Sequence, residues 1–524
     1  MPQMSGIESP LRSGVPISCG MLPRDQPVAP YSASSPPEEL PADASEFRST
    51  PPPLAAMPLR SSSNVWTSVY DARGRVTSTT DPDVGRTDTW YDAADRPNKV
   101  TDSKSRTTYT EYDELNRVKY VREGSATAAP IKSFTYDSLP GALGQPVAST
   151  RHTPGGDYIS SVTGYDTDYR PTGTETVIPA NTSTVGLAGT YAYAYTYTPT
   201  GKPQSVTLPA VGGLAKEKVV TRYNSDGLPE STSGQTWYTA DVTYSPYGEA
   251  LRTVSGAQPN RVWTTNFVDP HTGRLQRTVT DRETVEPHRI TDAAYSYDAS
   301  GTITSSARQM QDPSGETWDN QCFTYDVMGE LVNAWTSNLI PNGSGTGCKS
   351  AGGTTWGHRN DYATSSGPVA DAPDASTDVS SPDASLTATL AATAPDPATV
   401  ATGTTSYRQS FTFDWVGNRA TMTEHDPANA AKNVTFNYSY DTTQPHTVDW
   451  ISSTPSGKGS SYTYDAAGNT EVRDLSSTTQ NLTWTSENKL DTITNDGKKT
   501  SYVYDAAGNR IVENSPSGST LYLG

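Results

Sequence analysis

Tyr502-Val503-Tyr504-Asp505-Ala506-Ala507-Gly508-Asn509-Arg510-Ile511-Val512 reads as strand, tight turn, strand. Tyr502 and Tyr504 alternate with other residues, as one face of a strand does. Asp505 and Gly508 stand at the first and last positions of a type I turn, where Asp bonds its own backbone and Gly tolerates positive φ. A left-handed Gly508 adds the bulge that restores strand twist after a three-residue loop. Ile511 then opens the return strand.

The phrase recurs. Tyr464-Asp465-Ala466-Ala467-Gly468-Asn469 nearly copies it, and Tyr70-Asp71, Tyr91-Asp92, Tyr112-Asp113, Tyr297-Asp298 and Tyr325-Asp326 each open a similar turn. Phe413-Asp414 swaps one aromatic for another. Asp95 and Asn116 replace the glycine in two copies. These residue types tolerate the left-handed region best, so the position is under a backbone demand rather than a chemical one.

Working outward, residues 63–356 carry such units almost without pause, with Tyr70, Tyr91 and Tyr112 at equal spacing. Degenerate copies follow at Tyr197, Tyr223, Tyr244 and Val268. About twenty residues per unit suit two strands and two turns. Tyr191, Tyr193, Tyr195 and Tyr197 fall on one face of a strand. Residues 357–406 break the pattern: no Lys or Arg lies between Arg359 and Arg408, and Asp residues are scattered among Ala, Pro, Ser and Thr. This composition predicts an acidic, flexible insertion. The units resume over 407–524. Residues 1–62 are Pro- and Ser-rich without apolar periodicity and read as a disordered tail, with no secretory signal pattern. The abrupt change near Val65 suggests a start belonging to a fragment or a misassigned reading frame.

Composition alone points to disorder: Leu, Ile, Val and Phe make up roughly a seventh of the chain and the net charge is −18. The 30 tyrosines and 10 tryptophans supply the missing apolar surface, and repetition lets weak units stack into a core. The acidic balance argues against nucleic acid as a partner. No apolar run is long enough for a membrane-spanning helix. Cys322 and Cys348 are either paired or reduced, and the six histidines show no metal-ligand spacing.

No catalytic, cofactor-binding or metal-ligating residue is expected. The repeated Asp71, Asp92, Asp113, Asp298, Asp465 and Asp505 read as turn chemistry, because acid–base catalysis has no use for a residue so many times over. The recurring Arg75, Arg96, Arg117, Arg274, Arg419 and Arg510 are expected to pair with carboxylates of the neighbouring hairpin. The tyrosine rows are expected to pack across strands, with a sugar-stacking platform as the competing reading. No nucleophile elbow supports a triad.

Tyr-Asp-x-x-Gly-Arg-Val/Leu at this spacing resembles the YD repeats of the Rhs family, which includes bacterial polymorphic toxins, the C-components of insecticidal toxin complexes and teneurins. About sixteen copies carry the resemblance, over roughly residues 65–356 and 407–524. It implies an all-β fold, in which antiparallel hairpins form one long spiralling sheet, a YD shell. It also implies a non-catalytic shell segment of a secreted or surface polymorphic-toxin-type protein, enclosing a toxin or other polypeptide, outside the cell or on its surface. The alternative is a repeat module for cell-wall or surface carbohydrate, and a weaker third reading is an enzyme within residues 136–290. The family core and toxin expected after the repeats are not recognised before Gly524. An incomplete shell with an open, self-associating edge is therefore expected.

Overall fold

The computed structural model describes residues 64–341, 347–349, 355–356 and 394–523. The expected tail at 1–62 and most of the insertion at 357–406 lie outside the described residues.

Each repeat forms the expected hairpin. In the terminal copy the Gly508 N–H donates to Asp505 O at 3.1 Å, and the Asp505 N–H to Asn509 O at 2.9 Å. Gly508 has φ +90°, and the register shifts between Val503 and Tyr504, which is the bulge. Asp95 and Asn116 hold the same position at φ 64° and 65°.

The hairpins join side by side. Thirty-three strands make one antiparallel sheet, from Thr67–Tyr70 to Gly518–Leu521. Neighbours in the sheet are neighbours in sequence, as hairpins with short turns dictate. At one place the sheet skips a segment: Leu331–Ser337 pairs with Arg408–Phe413, and between them Cys348–Lys349 pairs with Thr355–Trp356 as a separate two-stranded ribbon. The described residues contain no α-helix, only single 3₁₀ turns at Pro397–Thr399 and Ala430–Lys432. The described residues are all-β, a long open sheet of repeated hairpins, as the repeats imply.

The sheet coils. The turn between its second and third strands touches the turn between the twenty-fifth and twenty-sixth. The turn between the fourth and fifth touches that between the twenty-seventh and twenty-eighth. Both contacts are 23 strands apart. At about 4.8 Å per strand, one coil is roughly 110 Å around. The first and last strands do not pair, so the sheet is a spiral rather than a closed barrel.

The buried apolar core is thin and local. Tyr158 and Ile178 pack on Ile511 and Val512, bringing early and late strands together. Cys322, Trp335, Cys348 and Val400 form a second cluster where the sheet skips its segment. Cys322 and Cys348 are joined by a disulfide, which resolves the two states left open by the sequence.

Candidate functional site

Two sets of contacts organise the molecule: the joints between successive hairpins, and the seam between coils. Both are built mainly from the residues of the repeat.

In the joint, the tyrosine opening each turn reaches back to the preceding hairpin. Tyr91 Oη donates to Val76 O, Tyr112 Oη to Pro97 O and Tyr136 Oη to Val118 O. Twelve tyrosines make this contact at 2.5–3.0 Å, each to a carbonyl at the start of the previous return strand. Trp484 substitutes with its indole N–H, donating to Thr470 O. Where Val268 replaces the tyrosine, Asn266 Nδ2 donates to Ala250 O instead. Several of these return strands begin with proline, which suits the first residue of a strand because it has no N–H to offer the ladder.

The turn aspartate and arginine complete the joint. Asp71 Oδ1 accepts from the backbone N–H groups of Arg73 and Arg75, and Asp71 Oδ2 from Arg75 Nε. The Arg75 guanidinium beside Asp71 holds its carboxyl below the usual range, and Arg96 does the same to Asp92. The guanidinium then reaches forward. Arg75 bonds Asp95, Arg96 bonds Asn116 and Arg117 bonds Asp137, each in the next turn. It also lies over the next tyrosine ring, Arg75 at 4.4 Å from Tyr91 and Arg117 at 4.3 Å from Tyr136. A hydrogen bond and a cation–π contact together tie each of these joints. Arg274 also reaches forward, to the carbonyl of Asp298 and over the Tyr297 ring, but the expected carboxylate of the neighbouring hairpin is not the partner of Arg419, which bonds Tyr438 Oη, or of Arg510, which pairs with Glu513 inside its own hairpin.

Burial pushes the Tyr325, Tyr464 and Tyr504 hydroxyls up, consistent with their serving as donors.

The seam joins the rim of the first coil that lacks Tyr-Asp turns to the Tyr-Asp rim of the last. Asp83 accepts the His446 backbone N–H and contacts its Nδ1. Gln444 Nε2 donates to the carbonyls of Asp83 and Asp465, bridging the coils. Ser103 Oγ donates to Ala466 O, and Lys104 pairs with Asp465, whose side chain is 3% exposed. Burial pushes the Asp465 carboxyl up, but Lys104, Asn469 and backbone N–H groups outweigh it and hold it low. Arg106 bonds Thr485 O and Asn488, while Lys132 and Arg151 both pair with Glu487. At the seam a Cβ on Gly85 would stand 3.1 Å from Ala466 O of the facing rim, and 2.6 Å from Ser103 Cβ of its own.

Arg106 belongs to a turn that sequence reading missed. Asp102-Ser103-Lys104-Ser105-Arg106 repeats the Tyr-Asp turn on the opposite rim, with Asp102 Oδ1 accepting from Lys104 N and Arg106 N. Ser105 takes the left-handed position at φ 60°. Without a tyrosine or a glycine, only the Asp-to-Arg spacing marks it.

An open cleft of about 350 Å³ beside the seam is lined by Asp441, Gln444, Tyr462 and Asp465 among others. Among the described residues no three His, Cys, Asp or Glu side chains cluster as a metal site would need. No helix among them is long and apolar enough to cross a membrane.

This architecture is that of a coiled YD-repeat sheet. Residues 70–107 match the family model of the RHS repeat. No curated protein matches at a significant level. The fold is shared with the crystal structure of TcdB2-TccC3, at 17% identity and TM-score 0.59 over 86% of this chain. It is shared too with the Photorhabdus luminescens Tc holotoxin pore carrying TccC3-D651A, at 17% identity and TM-score 0.61 over 87%. TcdB2-TccC3 without its hypervariable C-terminal region gives 17% and 0.61 over 88%. The chain spans 21% of the length of each of these three solved chains.

Proposed function

We propose that this chain is a non-catalytic wall segment of an Rhs-type shell that encloses a polypeptide, in a protein secreted or displayed at the surface. The observation that carries the reading is the seam. Successive coils lie rim on rim through named ion pairs and hydrogen bonds, so the sheet makes a wall rather than a ribbon. A wall made of backbone-paired strands separates a cargo from solvent and protease without chemistry of its own. The disulfide between Cys322 and Cys348 fits an oxidising compartment, which supports export. The carbohydrate reading lacks a comparable observation: the repeat tyrosines give their hydroxyls to carbonyls, and many of their ring faces to arginine.

The test is protection. An unstructured reporter peptide fused after Gly524 is digested with proteinase K, beside the same peptide fused to an unrelated soluble domain. Enclosure predicts markedly slower loss of the reporter on this chain. Equal rates would remove the enclosing role.

A further inference from the structure

The sheet skips a segment between Ser337 and Arg408, and the feet of that excursion are fastened at one spot. The outgoing foot holds Cys348, bonded to Cys322 with a Cα–Cα distance of 5.6 Å. The returning foot, residues 394–401, crosses the same place. Val400 bridges Ser337 and is 4% exposed, and Pro395 is fully buried. The Asn338 N–H donates to Thr399 O at 2.9 Å, and Asn338 Nδ2 to Ala398 O at 3.1 Å. Ser337 Oγ lies 2.7 Å from Gly347 O and 3.2 Å from Thr399 O, so one hydroxyl touches both feet. The Asp396 N–H donates to Lys349 O at 3.0 Å. Both cysteines are 0% exposed, in one cluster with Trp335 and Val400.

We propose that residues 394–401 form a strap that guards the Cys322–Cys348 disulfide, so that a thiol reaches the bond only when the strap lifts. Thiol–disulfide exchange needs a thiolate in line with a disulfide sulfur. With both sulfurs walled in, the native state admits none, and reduction goes through local opening. Once the strap is open, a dithiol reductant attacks one sulfur and breaks the S–S bond, forming a mixed disulfide. Its second thiol displaces the protein sulfur. The reductant leaves as a cyclic disulfide, and Cys322 and Cys348 end as thiols after taking two electrons and two protons. The strap thus sets how long the fastening survives when the chain passes from an oxidising to a reducing compartment.

The test times reduction of the full chain by dithiothreitol without denaturant, quenching with an alkylating agent and reading Cys322 and Cys348 by mass spectrometry. Val400→Ala removes apolar contact beneath the strap, and Asn338→Ala removes the Nδ2 contact while leaving the cluster packed. Each is expected to speed reduction several-fold or more, Val400→Ala about tenfold. Ile511→Ala, in the other cluster, is expected to leave the rate within about twofold, which separates strap lifting from general loosening. If Val400→Ala does not fold, Asn338→Ala carries the comparison alone. Equal rates for wild type and the strap variants would overturn the proposal. So would alkylation of either cysteine in oxidised protein before reductant is added.

Discussion

Asp83 holds His446 from across the seam with both carboxylate oxygens, Oδ1 on the backbone N–H at 2.9 Å and Oδ2 at Nδ1 at 2.6 Å. The two residues are 363 positions apart, and the Trp66 ring lies 5.6 Å from the imidazole. A carboxylate only accepts, so the imidazole proton sits on Nδ1 in this contact.

Asp83→Ala therefore tests whether the coils are fastened. Removing the carboxylate leaves a backbone N–H and a ring N–H without their partner, a loss of about 1–2 kcal/mol. The expected signature is faster hydrogen exchange at residues 441–447, far away in sequence. Unchanged exchange there would mean the seam does not hold those turns.

The tyrosine joint predicts a simple contrast. Tyr464→Phe deletes the hydroxyl that reaches Val448 O at 3.0 Å, leaving that carbonyl without its donor. A loss of about 1 kcal/mol is expected in urea unfolding. Tyr247→Phe, at a ring 84% exposed, should fall within about 0.5 kcal/mol of wild type. Equal effects would show the hydroxyl contact to be incidental.

Gly508 offers a test of backbone demand. At φ +90° a Cβ would meet only the flexible end of Lys489, at 3.3 Å, so the penalty lies in the backbone itself. Gly508→Val should cost about 1–3 kcal/mol. Gly508→Asn should cost less than about 1 kcal/mol, since Asn116 and Asn488 occupy this position at φ 65° and 55°. Comparable unfolding midpoints for the two variants would contradict the turn geometry.

Acid should, on balance, weaken the fold. Asp71, Asp92, Asp137 and Asp465 have carboxyls held below their unfolded value of about 3.9. Their contribution is complete above that value. It is lost as pH falls through the depressed folded values, because the unfolded chain binds protons first. Glu330 opposes this weakly: burial, with Asp326 and Asp414 nearby, pushes it up. Melting temperatures should hold from pH 7 to 5 and fall between about pH 4 and 2. A fall already complete by pH 5 would contradict the assignment.

The hairpin was legible because its determinants are local. Asp505, Gly508 and the alternating tyrosines lie within eight residues, and turn chemistry needs nothing beyond them. Repetition then made the long sheet legible. The positive φ at Tyr169 was not, since an aromatic rarely takes that region, even though Asp166 and Arg170 frame the turn as they do in the other copies. The seam was not legible either. Lys104 and Asp465 are ordinary residues in ordinary turns, and only the curvature of 23 intervening strands brings them together. The forward stacking of Arg75 on Tyr91 escaped for a related reason: pairing with carboxylates was expected, but the ring of the next hairpin takes the guanidinium face as well.

The spacing of the seam partners also sets an order of assembly. Each joint links hairpins about twenty residues apart, so it can form as soon as the second hairpin has left the ribosome or an export channel. The contacts of Lys104, Arg106 and Asp83 lie more than 360 residues ahead, and nearly the whole chain must emerge before they form. Closing so long a loop is entropically slow, and the sheet already in place shortens the search. The molecule should grow from its first hairpin as an exposed ribbon and become a wall only at the end. Until then the apolar faces of Tyr158 and Ile178 wait uncovered for Ile511 and Val512. That interval is when the chain is most open to aggregation.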